Sequence, residues 1–239
     1  MHRFYLHDQE VLSQDQLVLA SDELLHQWKN VLRFRVGEKV VVFDGARDEE
    51  CVVQIDAFER VAVLAHVVER RIVSTELPRR IILAQSILKN PEKFEWVLQK
   101  GTELGVSEFY PLITKRTERE SLNKMDRLNR IIIEAVEQSG RTRVPVLHEP
   151  ILYEKFLKKM SDDGVKVIVP DFSGEHKISS LDGDGAVFSL CIGPEGGFDS
   201  SEVTRAREAG CAIVTLGPRV LRSETAAITA LSILTEQLR

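Results

Sequence analysis

The sequence is poor in cysteine and lacks any long apolar run. Its three cysteines, Cys51, Cys191 and Cys211, are an odd number without the spacing of metal ligands. Each lies in an apolar, strand-like stretch, so we expect buried, reduced thiols in the cytosol. No run approaches the roughly 18 apolar residues of a membrane span, and the charged N-terminal residues do not resemble a secretory signal. We therefore expect a cytoplasmic globular protein with no metal and no membrane partner.

The sequence also lacks an excess of positive charge. Its formal net charge is −5, which by itself argues mildly against nucleic acid as a partner. The distribution is uneven, since residues 76–150 carry 13 Lys and Arg against 11 Asp and Glu. Because attraction to phosphate is screened beyond about 10 Å, a local basic face can bind RNA even on an acidic protein. Charge alone thus neither predicts nor excludes an RNA partner.

The first 70 or so residues are predicted to form a small β-barrel. Strands are expected at residues 38–43, 51–55 and 61–68, and Asp44-Gly45 is a typical hairpin turn. Val61, Val63, Ala65 and Val67 alternate along the third run and should share one face. Residues 69–80, which are rich in charge around Pro78, are interpreted as a linker.

From about residue 80 the pattern changes to alternating strands and helices. Asn90 followed by Pro91 is typical of a helix start, Asp199 and Glu202 have the spacing of a capping box, and Asn123 is predicted to cap another helix. Buried strands are expected at residues 81–87, 108–113, 165–169, 186–192 and 212–216, with a terminal helix at 223–238. This alternation predicts an α/β fold with a mostly parallel sheet covered by helices on both faces.

Two glycine-bearing turns follow two of the predicted strands. GPEGGF, residues 193–198, allows close approach of a ligand to the backbone, although a plain tight turn is an alternative. It is neither a P-loop nor a dinucleotide fingerprint. LGPRVLRSETAA, residues 216–227, places Arg219 and Arg222 beside a helix N-terminus, where they could attract an anion or simply be solvated. Because parallel strands end at the same edge of a sheet, both turns should border one pocket.

GPEGGF followed by LGPRVLRSETAA resembles the cofactor signature of the SPOUT methyltransferases. Within that superfamily the chain is similar to the RsmE family of small-subunit 16S ribosomal RNA uridine-N3 methyltransferases. Three further blocks agree in order along the chain, HQWKNVLRFRVGEKVVVFDG, QKGTELGVSEFYPLITKRTE and EAVEQSGRTRVP, which begin at His26, Gln99 and Glu134. Lys100-Gly101 departs from the Lys-Ala that the family pattern implies. Residues 147–185 carry little of the resemblance.

The resemblance implies a PUA-like, RNA-binding β-barrel at residues 1–73. It implies a SPOUT α/β domain at residues 74–239, with a C-terminal trefoil knot that holds S-adenosyl-L-methionine. A homodimer with its active site near the subunit interface is also implied. The expected reaction is methylation of N3 of a specific uridine during ribosomal RNA processing, and the choice between free RNA and the assembled small subunit stays open.

The site residues are expected mainly in the two turns. Uridine N3–H is weakly acidic, so a base, or a cation that stabilises charge on the carbonyl oxygens, would assist transfer. The candidates for this work are Arg222 first, Glu224 second and Glu195 third, and the choice among them stays open. Cofactor contacts, mostly through backbone groups, with Thr225 as a hydroxyl contact or a simple helix cap, are predicted at Gly193, Glu195, Gly196, Gly197, Leu216, Gly217, Leu221 and Thr225.

RNA contacts are predicted for a set of basic residues, each of which could equally be an ordinary surface charge. Arg33 and Arg35 alternate along a stretch interpreted as extended, so both could point to one side. The two histidines His26 and His66 lack partners at ligand spacing and receive no metal role. The full set is Arg3, Arg33, Arg35, Lys100, Arg116, Arg141 and Arg143.

Two other functions are compatible with the pattern. A different nucleotide-dependent α/β enzyme, such as a dehydrogenase, would keep the pocket, but the dinucleotide fingerprint is missing. A non-catalytic RNA-binding protein would need only the barrel, yet a disused pocket need not keep the glycines of both turns.

Overall fold

The computed structural model describes residues 1–7, 11–13, 15–73, 75–181 and 185–238. By its contacts the chain divides into two compact units. The first comprises Met1–Glu76 with Val136–Val144, and the second comprises Leu77–Ala135 with Pro145–Arg239. Among these described residues, no helix is long and apolar enough to span a bilayer.

The first unit is built on a six-stranded sheet in the order β1-β4-β5-β6-β3-β2. β1 pairs with β4 in parallel, and the other described pairs are antiparallel. Trp28 lies in a π-helical turn, Gln27–Val31, and is fully buried beside Phe4 in the core of this unit. The regular elements are β1 Arg3–Tyr5, β2 Val11–Leu12, β3 Gln16–Leu19, α1 Asp22–His26, β4 Lys39–Phe43, β5 Glu49–Phe58 and β6 Val63–Ile72.

The interpretation of residues 69–80 as a linker was wrong at its start, because β6 continues to Ile72. Its charged end is a strand because the arginines have partners on β5. Arg70 pairs with Glu49 at 2.8 Å and Arg71 with Glu50 at 3.7 Å, and such cross-strand ion pairs stabilise a sheet. Val61 was also misplaced, since it precedes β6 and is exposed.

The second unit confirms the predicted α/β class and its parallel sheet. The strand order is β10-β8-β7-β13-β11-β14-β12, with β9 beside β8, and every described pair is parallel. The strands are β7 Arg80–Ser86, β8 Val106–Ile113, β9 Val146–Leu147, β10 Ile151–Leu152, β11 Lys166–Pro170, β12 His176–Lys177, β13 Val187–Ile192 and β14 Ala212–Thr215. The helices are α2 Pro91–Glu103, α4 Tyr153–Asp162, α5 Ser200–Glu208 and α6 Ser223–Gln237, together with α3 Met125–Ser139, whose residues from Val136 onward belong to the first unit.

Helix starts follow the predicted capping residues in two of three cases. The Asn90 side chain accepts a hydrogen bond from the Glu92 N–H at the start of α2. Asp199 and Glu202 form the reciprocal capping box of α5. The prediction for Asn123 was wrong by one residue, because the carbonyl of Lys124 accepts the first bond of α3, from the Leu128 N–H.

The strand order brings three strand ends together. β11 lies between β13 and β14, although it precedes both in the sequence. Because all three strands run in the same direction, the turns that follow them emerge at one edge of the sheet. The candidate site lies at this edge.

Candidate functional site

A cavity of about 310 Å³ lies between the turns that follow β11, β13 and β14. Its volume falls in the range of small-molecule sites. The structure brings together at its wall seven of the eight predicted cofactor-binding residues, namely Gly193, Glu195, Gly196, Gly197, Leu216, Gly217 and Leu221. The eighth, Thr225, is exposed on α6 and is not among the residues that line the cavity.

The turn after β11 was missed by the sequence analysis. Pro170, Asp171 and Phe172 line the cavity, and the Phe172 side chain is exposed. The strand before this turn was predicted, so the rule that ligands bind at carboxyl ends could have pointed to it. Its neighbours in the sheet could not be known from local pattern, because β11 pairs with strands that come later in the chain.

Two glycines of the cavity wall adopt a conformation that favours glycine. Gly197 has φ +68° and Gly217 has φ +111°, both in the left-handed region. A Cβ atom built on either residue would meet no heavy atom of the described chain within 4 Å. The Cα atoms of both glycines therefore face open space, so a ligand can approach the backbone of both turns closely.

Arg116, one of the predicted RNA contacts, holds the turn after β13. Its guanidinium donates to the Gly196 carbonyl at 2.8 Å and to the Asp199 carboxylate at 3.2 Å. Hydrogen bonds from the Ser201 side chain and backbone, with Lys115 and Arg116 nearby, lower the pKa of Asp199 to about 2. Arg116 also lines the cavity. One side chain therefore contacts both Asp199, the cap of α5, and the cavity beside the turn after β13.

The three catalytic candidates have different surroundings. Glu195 lines the cavity, and its carboxylate accepts a hydrogen bond from the Lys89 N–H at 3.0 Å. Arg222 is the exposed N-cap residue of α6, and no hydrogen bond or ion pair of its guanidinium occurs within the described residues.

Glu224 is largely buried and is paired with Lys93 Nζ at 2.7 Å. Burial opposes ionisation of its carboxyl and is the largest single influence. The hydrogen bond and charge of Lys93, the Glu224 N–H and the charge of Arg222 together outweigh it and hold the pKa below its ordinary value. An anion held by an ammonium group is a weak base at neutral pH. Neither Glu224 nor Arg222 is among the cavity-lining residues.

Among the RNA candidates of the first unit, Arg33 and Arg35 are exposed. The interpretation of this stretch as extended was wrong at Arg33, whose φ of 55° is left-handed. Trp28 and Phe34 pack into the core around it, and the Phe34 N–H donates to the Trp28 carbonyl at 3.0 Å. The segment between the Trp28 and Phe34 side chains therefore projects towards the surface.

Arg3, Arg141 and Arg143 are all engaged in ion pairs. Arg141 is 4% exposed and forms two hydrogen bonds with the Glu76 carboxylate, at 2.9 and 2.6 Å. Arg3 pairs with Glu50 and also donates to the Arg141 carbonyl. Burial argues against a direct phosphate contact by Arg141, whereas Arg143 is exposed beside Asp48.

The remaining candidate, Lys100, pairs with Glu103 on α2 at 2.7 Å. No cluster of His, Cys, Asp and Glu that could hold a metal ion occurs in the part of the chain that the structure describes. Cys51 and Cys191 are buried as free thiols, and Cys211 is half-buried.

Comparison with known proteins identifies similar chains over most of the length. The model of an RNA methyltransferase domain family matches residues 75–235. The chain is 33% identical over 234 residues to Ribosomal RNA small subunit methyltransferase E of Bacillus subtilis, covering 91% of this chain and 90% of that protein. The protein of the same name from Aquifex aeolicus is 29% identical, covering 98% and 99% of the two chains.

A solved structure agrees at the level of the fold and names a ligand. The crystal structure of Ribosomal RNA small subunit methyltransferase E from Neisseria gonorrhoeae, bound to S-adenosyl methionine, matches with a TM-score of 0.90. The identity is 32%, and the match covers 99% of this chain and 98% of that one.

Proposed function

The chain belongs to the family of ribosomal RNA small subunit methyltransferases E, and from this membership we propose that it methylates small-subunit ribosomal RNA with S-adenosylmethionine. The observation that carries the proposal is the cavity at the ends of β11, β13 and β14. It unites the glycines of two turns that are far apart in the sequence. We further propose N3 of a 16S uridine as the acceptor, in keeping with the resemblance described above.

The residues of the cavity suit this cofactor. The backbone of Gly197 and Gly217 faces open space and can approach an adenosyl group closely. Apolar side chains such as Leu216, Leu221 and Ile192 line the wall, as is usual for small-molecule sites. We assign the cofactor to backbone groups of Gly193, Gly196 and Leu216 together with these residues.

The chemistry asks the protein mainly for alignment and for control of one proton. When bound, S-adenosylmethionine supplies an activated methyl group. The exposed guanidinium of Arg222 can stabilise negative charge on the uridine carbonyl oxygens as the N3 proton passes to water. Glu224 is a weaker base than an unpaired carboxylate, because Lys93 stabilises its anion. The Glu195 carboxylate accepts a hydrogen bond from the Lys89 N–H.

Substitution of Arg222 tests this assignment. We expect Arg222→Ala to lower kcat about 100-fold, as removal of one stabilising donor commonly does, while the affinity for S-adenosylmethionine changes little. Arg219→Ala is the matched comparison, because Arg219 is also exposed but lines the cavity. Equal losses of kcat and cofactor affinity in Arg222→Ala would indicate that Arg222 acts only in cofactor binding.

We propose a trefoil knot at the C-terminal part of the second unit. The backbone packs closely in this part of the unit, since a Cβ on Gly174 would clash with the carbonyl carbon of Val214. The segment after β11 therefore runs against the backbone of β14 with no room for a side chain. We also propose that the sheet of the first unit is a PUA-like barrel.

The first unit is proposed to dock the RNA. Lys29, Arg33 and Arg35 are exposed. Within the described residues, their side chains form no ion pair and no hydrogen bond. They lie on the segment anchored by Trp28 and Phe34. Exposed cations on a rigid support are suited to phosphate contacts.

A homodimer in the cytoplasm completes the proposal. The three free thiols fit a reducing compartment. Sedimentation equilibrium at micromolar concentration tests the assembly, and a monomer throughout would remove the dimer from the proposal.

Two measurements test the reaction itself. Thermal shift with S-adenosylmethionine, NAD and ATP in parallel should show stabilisation by the first alone, since only a ligand of the native state raises Tm. Mass spectrometry of ribosomal RNA from cells lacking the protein should show one unmethylated uridine, restored by the purified enzyme. Stabilisation by NAD would favour the dehydrogenase alternative, and unchanged RNA would favour a non-catalytic binding protein.

A further inference from the structure

A buried glutamine lies behind the wall of the cavity. Gln85, near the end of β7, is 1% exposed and is not among the cavity-lining residues. Its side-chain amide Nε2 donates to the Ser86 carbonyl at 3.0 Å and to Ser223 Oγ at 3.0 Å. The buried amide of Gln85 therefore joins β7 to the start of α6, 138 positions later in the sequence.

Ser223 connects Gln85 to the turn after β13. Its hydroxyl accepts from Gln85 and donates to the Gly193 carbonyl at 2.6 Å. The neighbouring Ser86 hydroxyl donates to the Ile192 carbonyl at 2.9 Å. Three side chains therefore link the end of β7, the first residue of the GPEGGF turn and the start of α6.

Among the described residues, the Ser223 hydroxyl is one of two polar side-chain contacts that hold the first turn of α6. Arg222 occupies the N-cap position but makes no side-chain capping bond. The other contact is the ion pair of Glu224 with Lys93. Since Ser223 and Gly193 both line the cavity, the hydrogen bond between them joins two parts of its wall.

The amide nitrogen is the part of Gln85 that makes the link. The amide oxygen, Oε1, is buried and accepts no hydrogen bond within the described residues. An unpaired buried acceptor does not stabilise the fold. Replacing Gln85 with an apolar side chain of similar length would therefore remove the hydrogen bond to Ser223. It would add no unpaired polar atom at position 85.

We propose that Gln85 and Ser223 are positioning residues that hold the turn after β13 against the start of α6 and so prepare the cleft for S-adenosylmethionine. The proposal rests on the proposed function for the identity of the ligand. Neither residue takes part in the chemistry. The link acts on the free protein, because its hydrogen bonds need no ligand.

Hydrogen exchange of the cofactor-free protein is the primary test. Amides of residues 193–197 and 216–221 should exchange about tenfold faster in Gln85→Met and in Ser223→Ala, because the turns open more often when a buried hydrogen bond is lost. Ser223→Thr keeps the hydroxyl and should restore slow exchange. Ser232→Ala is the matched control, because it removes a hydroxyl-to-carbonyl bond of 2.8 Å on the same helix.

Binding and kinetics separate positioning from a general loss of stability. By calorimetry well below Tm, the two disrupting variants should bind S-adenosylmethionine about tenfold more weakly, with KM for the RNA unchanged. Ser223→Thr should remain within about threefold of the natural protein. Unchanged exchange and affinity in Gln85→Met and Ser223→Ala, or a lower Tm with normal affinity, would overturn the proposal. Failure of the natural protein to bind the cofactor would instead refute the proposed function, while the exchange comparison would still test the link.

Discussion

Gly196 has neither the crowding of Gly193 nor the left-handed φ of Gly197, its two fellow glycines in the turn after β13. A Cβ on Gly193 would lie 3.1 Å from the Phe198 nitrogen, and Gly197 has a left-handed φ. A Cβ on Gly196 would meet only the Arg116 side chain, at 3.4 Å. A substitution at this position is therefore compatible with the folded turn and can compete only with a ligand.

We predict that Gly196→Val weakens S-adenosylmethionine binding roughly 100-fold, because forcing extra methyl groups into a filled site costs up to about 3 kcal/mol. The Tm of the cofactor-free protein should stay close to that of the natural chain. Calorimetry together with a thermal melt measures both quantities. Unchanged affinity would show that the ligand does not approach this turn.

At the scale of single elements, the start of α5 is the most strongly charged part of the site. Asp199 caps the helix and accepts hydrogen bonds from Ser201, with Lys115 and Arg116 close by. These contacts favour the carboxylate and lower the pKa of Asp199 to about 2, below the ordinary value of an aspartate side chain. The cap is therefore an anion at neutral pH.

The pH dependence of stability follows from this shift. A folded-state pKa below that of the unfolded chain adds stability that is complete above about pH 4 and declines as pH falls towards 2. We predict that the natural protein is more stable than Asp199→Asn at pH 6 and that the difference shrinks steadily from pH 4 to pH 3. Urea unfolding of both proteins at several pH values measures it, and a constant difference would exclude Asp199 as the titrating group.

Elements with local signals were predictable, and those held by distant partners were not. α2 and α5 carry their own caps, Asn90 and Asp199, and both were predicted. α4 has buried residues at helical spacing, from Tyr153 to Met160, but its N-cap residue, Leu152, forms no side-chain cap, and the helix was missed. The charged end of β6 was interpreted as linker because its ion-pair partners lie on β5.

The same distinction applies to the site. Glycines in the two turns were recognisable because GPEGGF and LGPRVLRSETAA are unusual sequences. The turn at Asp171 and Phe172 lacks such a pattern and joins the cavity only through the position of β11 in the sheet. The link from Gln85 to Ser223 could not be predicted for the same reason.

For the molecule as a whole, the proposed RNA surface on the first unit is the most accessible to experiment. Arg33→Glu should reduce the slope of log K against log salt by about 0.7 to 0.9, the amount expected for one lost phosphate contact. Arg60→Glu is the matched control, since Arg60 is exposed on the same unit outside the Lys29–Arg35 segment. Filter binding of a small-subunit RNA fragment at several salt concentrations measures both slopes. Equal effects of the two variants would indicate a general charge effect rather than docking.

The position of β11 between β13 and β14 also has a consequence for biosynthesis. While a nascent chain ends before residue 212, one neighbour of β11 does not yet exist, and the cavity has only two of its three walls. A ribosome must therefore translate through β14 before the protein can capture its ligand. Premature stop codons in this region are expected to yield inactive products rather than weakened enzymes.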